Sequence, residues 1–342
     1  MEFPYFRLLE AGWIKKQNTV SSSDNRLLLI QSAPLGDTAI LIATCLKLGI
    51  PADRVDVVCE PTMVPLWKRF FPQSQIIPHT FNVWQPKKVR QRLNRLNNQC
   101  YRSTMIATLS KRAAFVSAFA KAESRIGLVG RPAYSGANFL LDEQCFIEGN
   151  EHVQIRYTRL LQMADASLKP TIPQKTSDQG NAILLHPGGK WAPRRWPKER
   201  FAAMAKILAE MGHSVRIMIW EKEMDLLTYF ENYHFPKQVQ LRITTNLNDV
   251  MDCMDQSWLV IGNDSGPVHL ANLMNKRLIC IWGPGNHHRI APQGDNVQLI
   301  MRDKPCRPCR QYEDLPPCGS NPGDCLRAIF VEEVMRAIQS EI

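Results

Sequence analysis

The chain has 342 residues, 44% hydrophobic and 22% charged, with a formal net charge of +10, and is long enough for two domains with their own cores. No apolar run approaches the roughly 18 residues of a membrane span, which excludes an integral helical membrane protein; there is also no low-complexity tract and no internal repeat. The start, Met1-Glu2-Phe3-Pro4, lacks the basic-then-apolar layout of a secretory signal, so a cytoplasmic location is expected.

In chain order, residues 1–25 form an aromatic N-terminal extension (Phe3, Tyr5, Phe6, Trp13). Residues 26–31 read as a buried strand, followed by a turn over 32–38 and a helix from Ala39 to Leu46. Further strands are predicted at 55–59, 104–108 and 125–129, and a helix at 153–166. The Pro-, Ser- and Gly-containing stretch 169–180 is the best linker, which bounds a first domain at 26–168. Strands at 182–186, 214–220, 238–243, 258–261 and 277–282 then alternate with helices at 198–211, 223–233, 247–254 and 267–274. A second domain is expected over 181–325, with a Cys-rich loop at 305–325 and a C-terminal helix over 326–342. Strands alternating with helices imply parallel sheets, and two such sets imply an α/β chain of two doubly wound domains facing a cleft.

Charge and cysteine are both unevenly placed. Residues 1–170 hold 22 Lys/Arg against 13 Asp/Glu, while residues 171–342 hold 20 against 19. The basic strip with Lys87, Lys88, Arg90 and Arg92 continues to Lys121 without an acid. It reads either as a solvated helical face or as the footprint of an anionic partner. Of ten cysteines, Cys45, Cys59, Cys100, Cys145, Cys253 and Cys280 are scattered, whereas Cys306, Cys309, Cys318 and Cys325 crowd together. The Cys-x2-Cys pair has metal-ligand spacing, so one structural zinc or iron is a candidate, with packing thiols or a disulfide as alternatives.

Four loops at predicted strand ends carry the candidate chemistry: Leu35-Gly36-Asp37, His186-Pro187-Gly188-Gly189, Asp264-Ser265-Gly266 and Gly283-Pro284-Gly285. In the third loop Ser265 can cap a helix that Pro267 opens, and free N–H groups there can hold a phosphate. Arg194-Arg195-Trp196-Pro197 opens the helix after the second loop, and an arginine there could neutralise charge on a leaving phosphate. Asp37 reads either as a helix cap or as a general base. Neither a P-loop nor a Gly-x-Gly-x-x-Gly turn is present, which argues against P-loop kinases and nicotinamide dehydrogenases.

The segments "APLGDTAI", "SRIGLVG", "HPGGKWAPRRWPKERFAAMAKIL" and "VIGNDSGPVHLANLMNKRLICIWGPG" resemble, in this order, the motifs of family 9 glycosyltransferases, the lipopolysaccharide heptosyltransferases. The resemblance runs from about residue 26 onward. It implies a GT-B fold of two Rossmann-like domains, the first binding acceptor and the second a nucleotide-sugar. It also implies inverting, metal-independent transfer, commonly from ADP-heptose, with no cofactor required for catalysis.

By the same resemblance Asp37 is the catalytic aspartate, and Asp264, Ser265, Gly266 and His269 form the donor motif, Ser265 replacing the commoner threonine. Arg194 stands for a phosphate-binding lysine. Glu223, or in the alternative Glu221, stands for an acid that holds the donor ribose, although the glycine usual before it is absent. The loop "GPGNHHRIAPQG" departs from the family pattern, and this leaves base and sugar preference open. The expected partners are ADP-heptose, a lipopolysaccharide core acceptor and the inner face of an anionic inner membrane, which the basic strip would meet. Alternatives are another nucleotide-sugar, a protein acceptor, or a non-catalytic sugar-nucleotide-binding protein. Nucleic acid is not expected, since no supporting fold motif is present.

Overall fold

A computed structural model describes residues 25–81, 91, 99–130, 140–171, 180–304, 306–309, 323–339 and 341. The chain divides into two compact units, Met1–Ala33 with Leu41–Ile172, and Pro34–Ile40 with Pro173–Ile342.

The first unit is built from β1 (Leu27–Gln31), α1 (Leu35–Lys47), β2 (Val55–Cys59), α2 (Val64–Phe70), β3 (Ile76–Pro78), β4 (Cys100–Ile106), α3 (Lys111–Ser117), β5 (Lys121–Val129), β6 (Glu143–Phe146) and α4 (Val153–Ala164). Its six strands pair in parallel in the order β3-β2-β1-β4-β5-β6. Every residue of β1 and β2 is buried, as expected for parallel strands covered on both faces. Asp56 is the exception in chemistry, a carboxylate within β2 that is 0% exposed. It is satisfied by Arg26 Nη2 at 2.6 Å, the Gln75 amide at 2.8 Å and the Tyr101 hydroxyl at 2.8 Å, which ties the start of β1 to β4.

The second unit contains β7 (Ala182–His186), α5 (Lys198–Glu210), β8 (Ser214–Trp220), α6 (Met224–Glu231), β9 (Val239–Thr244), α7 (Leu247–Asp255), β10 (Ser257–Asn263), α8 (Gly266–Leu273), β11 (Arg277–Trp282), α9 (His287–Ile290), β12 (Val297–Met301), α10 (Asp324–Arg327) and α11 (Val331–Gln339). The strands are again parallel, in the order β12-β11-β10-β7-β8-β9. Ile183, Leu185, Ile217, Ile219, Leu259 and Ile261 from the sheet meet Phe201 and Leu208 of α5 and Val334 and Ile338 of α11 in one core.

The two sheets confirm the α/β, Rossmann-like reading, with three local differences. Helix α1 starts at Leu35 and not at Ala39, which makes Asp37 part of its first turn. The basic strip is not one helical face: Arg102 lies in β4, Lys111 and Arg112 open α3, and Lys121 opens β5. The expected C-terminal helix is broken between α10 and α11. Its carbonyls at Arg327 and Ile329 accept from Arg200 Nη1, and Ile329 also accepts from the Trp196 indole at 2.9 Å, so they are diverted from a helical ladder. The scattered cysteines form no disulfide, and all are buried except the half-buried Cys100. Lys87, Lys88, Arg90, Arg92 and Cys318 lie outside the described residues, as does nearly all of the N-terminal extension.

Candidate functional site

In the second sheet the chain moves outward from β7 to β8 and β9, then returns to lay β10 against the other side of β7. Strand order reverses between β7 and β10, and a parallel sheet opens a crevice beyond the carboxyl ends of the strands at such a point. The loops that leave these two strands are 187–189 and 264–266.

The 264–266 loop enters α8. Ser265 is extended (φ −156°, ψ 168°) and does not cap the helix with its side chain. This corrects the capping expectation, because the Ser265 hydroxyl donates instead to the Asn263 carbonyl at 3.0 Å. The helix therefore begins without a side-chain cap, with Gly266 and Pro267 in its first turn. Main-chain N–H groups at such an end, together with the helix dipole, suit an anion. His269 is buried one turn further on. Residues 34–40, the start of α1, cluster with this second unit and not with the first. A Cβ on Gly36 would stand 3.0 Å from His269 Cδ2, and one on Gly266 would stand 3.0 Å from Leu35 Cβ, so glycine permits both approaches. Asp37 follows in that turn, half-buried.

Asp264 is 4% exposed and faces Arg194, with Nε 3.4 Å from Oδ2 and Nη1 3.5 Å from Oδ1. These are loose contacts, and Asp264 Oδ2 and Arg194 Nε make no hydrogen bond among the described residues. Burial pushes the carboxyl of Asp264 up from 3.8 to about 6, and the Arg194 charge offsets only part of that. The guanidinium lies 5.4 Å over the Trp191 ring. A Cβ on Gly285 would fall 2.1 Å from Asp264 Oδ2, so the 283–285 loop lies directly against the carboxylate. A buried acid with an unused oxygen beside a half-satisfied arginine can accept from hydroxyls of a ligand while the arginine meets its charge.

Glu223 serves the 187–189 loop. Its Oε1 accepts from the Gly189 amide at 2.7 Å, and its Oε2 accepts from the Trp220 amide at 3.2 Å. Arg195 closes the clamp: Nη2 lies 3.3 Å from Glu223 Oε1, Nε donates to the Gly189 carbonyl at 2.6 Å, and Nη1 pairs with Asp225 at 2.8 Å. A side chain on Gly188 would collide with Glu223 Oε2 at 2.3 Å. His186 sits beneath, with burial holding its pKa below the usual imidazole range.

Among the described residues no group of three or more His, Cys, Asp or Glu side chains gathers as a metal site. Cys309 and Cys325 are buried and Cys306 is exposed. The Cys309 amide donates to the Pro284 carbonyl at 3.1 Å, and Leu326, next to Cys325, lies against Gly283. Two of the thiol-bearing segments thus reach the same 283–285 loop. No helix of the described residues is long and apolar enough to cross a membrane.

Two Rossmann-like units of this kind make up the GT-B fold. The sequence pattern of glycosyltransferase family 9 (heptosyltransferase) matches residues 89–318, and the chain belongs to that family. It is 25% identical over 286 residues to lipooligosaccharide heptosyltransferase 2 of Haemophilus influenzae, covering 75% of this chain and 82% of the relative. Its fold is similar to that of the Escherichia coli heptosyltransferase WaaC with ADP, at TM-score 0.71 and 17% identity, covering 93% and 100% of the two chains. It is also similar, at TM-score 0.56 and 12% identity, to the iron-containing dodecameric glycosyltransferase TibC from enterotoxigenic E. coli, covering 94% and 77%.

The motifs pointed to Arg194, Asp264 and Gly266, which the structure brings together around the end of β10. They did not point to Asn263, whose side chain, with that of Arg195, holds the 187–189 loop. The signal available for Asn263 is its place directly before Asp264.

The raised pKa of Asp264 makes a stability prediction. The folded chain holds this proton more tightly than the unfolded chain, so the group's contribution is full below about pH 4 and lost as pH rises through about 6. Asp264→Asn should therefore gain on the ligand-free wild type by about 1–3 kcal/mol between pH 4 and pH 7. Denaturant unfolding across that range reads the gain; a difference independent of pH would contradict it.

Proposed function

We propose that this chain is an inverting heptosyltransferase that moves a heptose from ADP-heptose to a lipopolysaccharide core acceptor. The observation that carries the donor assignment is the uncapped start of α8 at the strand-order reversal, with Arg194 and Asp264 beside it. The names of the relatives, lipooligosaccharide and lipopolysaccharide heptosyltransferases, support the choice of sugar and acceptor.

In this reading Asp37 takes the proton from the acceptor hydroxyl as its oxygen attacks the anomeric carbon opposite the nucleotide. The bond to the diphosphate breaks, and the negative charge that grows there is received by Arg194, the Ser265 hydroxyl and the N–H groups at Gly266. Asp264 is left to bind sugar hydroxyls, since a carboxylate repels phosphate. His269 supports the loop or touches donor. Glu223 contacts the donor ribose only by sharing a carboxylate already bound to two main-chain amides. The departure of "GPGNHHRIAPQG" from the family loop favours a second reading, a different nucleotide-sugar, and calorimetry against ADP, UDP, GDP and CDP separates the two.

Asp37→Asn should keep ADP affinity and lose about 100-fold or more in turnover, the scale of general-base catalysis. Arg194→Ala should lose roughly 1.5–3 kcal/mol of ADP affinity, and EDTA should leave the wild-type rate intact. Near wild-type turnover by Asp37→Asn would reduce that residue to a helix-end acid.

The enzyme works in the cytoplasm at the inner face of the inner membrane, with Lys87, Lys88, Arg90 and Arg92 on the acceptor side. Each such charge near an anionic surface is worth about 1 kcal/mol before screening. Neutralising the four should raise the acceptor KM and weaken binding to anionic vesicles while ADP affinity stays unchanged. An unaltered acceptor dependence at low salt would return the strip to a solvated surface.

Cys306, Cys309, Cys318 and Cys325 are assigned to one structural zinc or iron that takes no part in the chemistry, although the 283–285 loop it would brace lies against Asp264. The iron of TibC and the approach of two thiol-bearing segments to one loop support this. The three described thiols do not form a site by themselves, so the assignment depends on Cys318. Elemental analysis of untagged protein should find about one equivalent of metal, and less than about a tenth would exclude the site.

A further inference from the structure

Asn263 is the last residue of β10 and is 0% exposed. A side chain sealed in this way must spend its polar atoms inside the protein, and Asn263 spends all of them on main chain. Its Oδ1 accepts from the Trp196 amide at 2.9 Å. Its Nδ2 donates to the Pro187 carbonyl at 2.8 Å and to the Gly188 carbonyl at 3.3 Å. The amide orientation follows from its partners, since an N–H demands the oxygen and two carbonyls demand the nitrogen.

These bonds join three segments that the sequence keeps far apart. The first is the loop after β7, where Asn263 takes the carbonyls of residues 187 and 188, while Glu223 and Arg195 take the amide and carbonyl of Gly189. The second is the turn at 194–196. Trp196 is held there at both ends, its amide by Asn263 and its indole by the Ile329 carbonyl. The third is the donor loop itself, because Asp264 is the next residue and the Asn263 carbonyl accepts from the Ser265 hydroxyl. Arg194 precedes the held amide by two residues and reaches the acid that follows Asn263 by one. The loose Arg194–Asp264 pair is therefore spanned by a tight bond between their own neighbours.

We infer that Asn263 is a positioning residue of the donor site: its carboxamide sets where Arg194 stands relative to Asp264 and to the start of α8. The inference rests on the donor-site reading above. No other residue type of this size supplies one acceptor and two donors in a plane. Aspartate would turn a carboxylate oxygen toward two carbonyls, and serine is too short to reach both sides.

The test uses the full chain, with ADP as the probe. Asn263→Ser should lose about tenfold in ADP affinity by calorimetry. In an Arg194→Ala background the same change should cost less than about twofold, because its effect passes through the arginine. A retained donor kcat with a raised donor KM is expected, whereas a merely structural role would lower Tm and leave KM unmoved. Equal losses in both backgrounds, or no loss at all, would overturn the inference. Asn263→Asp, which keeps the volume, is the second variant should Asn263→Ser fail to fold. Hydrogen exchange without nucleotide provides a separate arm, in which main-chain amides at 195–196 should exchange at least about tenfold faster in either variant. Unchanged exchange would also overturn it. Failure of the wild type to bind ADP would count against the donor-site reading, and the exchange result would still decide the role of Asn263.

Discussion

A strand buried on both faces admits a polar side chain along its length only where partners satisfy it, as Arg26, Gln75 and Tyr101 do for Asp56 of β2. In β1, β7 and β11 the side chains are buried along nearly the whole length, so chemistry is displaced to the loops after the final residue. In the second sheet the reversal of strand order then separates two neighbouring loops. Their polar groups turn toward the same space. His186, Asn263 and Asp264 stand at those ends for this reason, each buried and each held by a different kind of partner.

The site divides its polar residues into two kinds. Asn263 spends its side chain on main-chain partners, and Glu223 and Arg195 spend theirs on main chain and on each other, which fixes the loops. Asp264 and Arg194 are held near each other without being satisfied. Burying a carboxylate in this state costs stability, which a well-bonded pair would have recovered. The arrangement keeps donor and acceptor capacity open at one point while its surroundings are fixed, and preorganised polar groups of this kind stabilise developing charge without having to rearrange first.

Much of this was legible in the sequence. Val55–Cys59, Ala182–His186, Ser214–Trp220 and Arg277–Trp282 are apolar runs bounded by turns, and the structure places strands on those same residues. The edge strands β3, β6 and β12 were not visible. β3 and β6 have only three and four residues, while β12 is no shorter than β1 but is mostly half-buried, with a neighbouring strand on one side only. Helix α1 was read as starting late because Leu35-Gly36-Asp37 has the composition of a turn, yet the Thr38 amide already bonds the Pro34 carbonyl. Asp264 and Arg194 could be named from local motifs. The contacts of Asn263 could not, because its partners become neighbours only once β10 has been laid beside β7.

The anchoring of Trp196 bears on the order in which the molecule is made. Its indole bonds the carbonyl of a residue 133 positions later, and Arg200 reaches into the same stretch. Contacts of such long sequence separation close late in folding. A chain still on the ribosome can complete the first sheet, and can align β7 to β11, before residue 329 exists. Until then the Trp196 ring lacks its distant hydrogen-bond partner, and the turn carrying Arg194 is held at one end only. The hold on the turn that carries Arg194 is thus completed only once synthesis has passed α10.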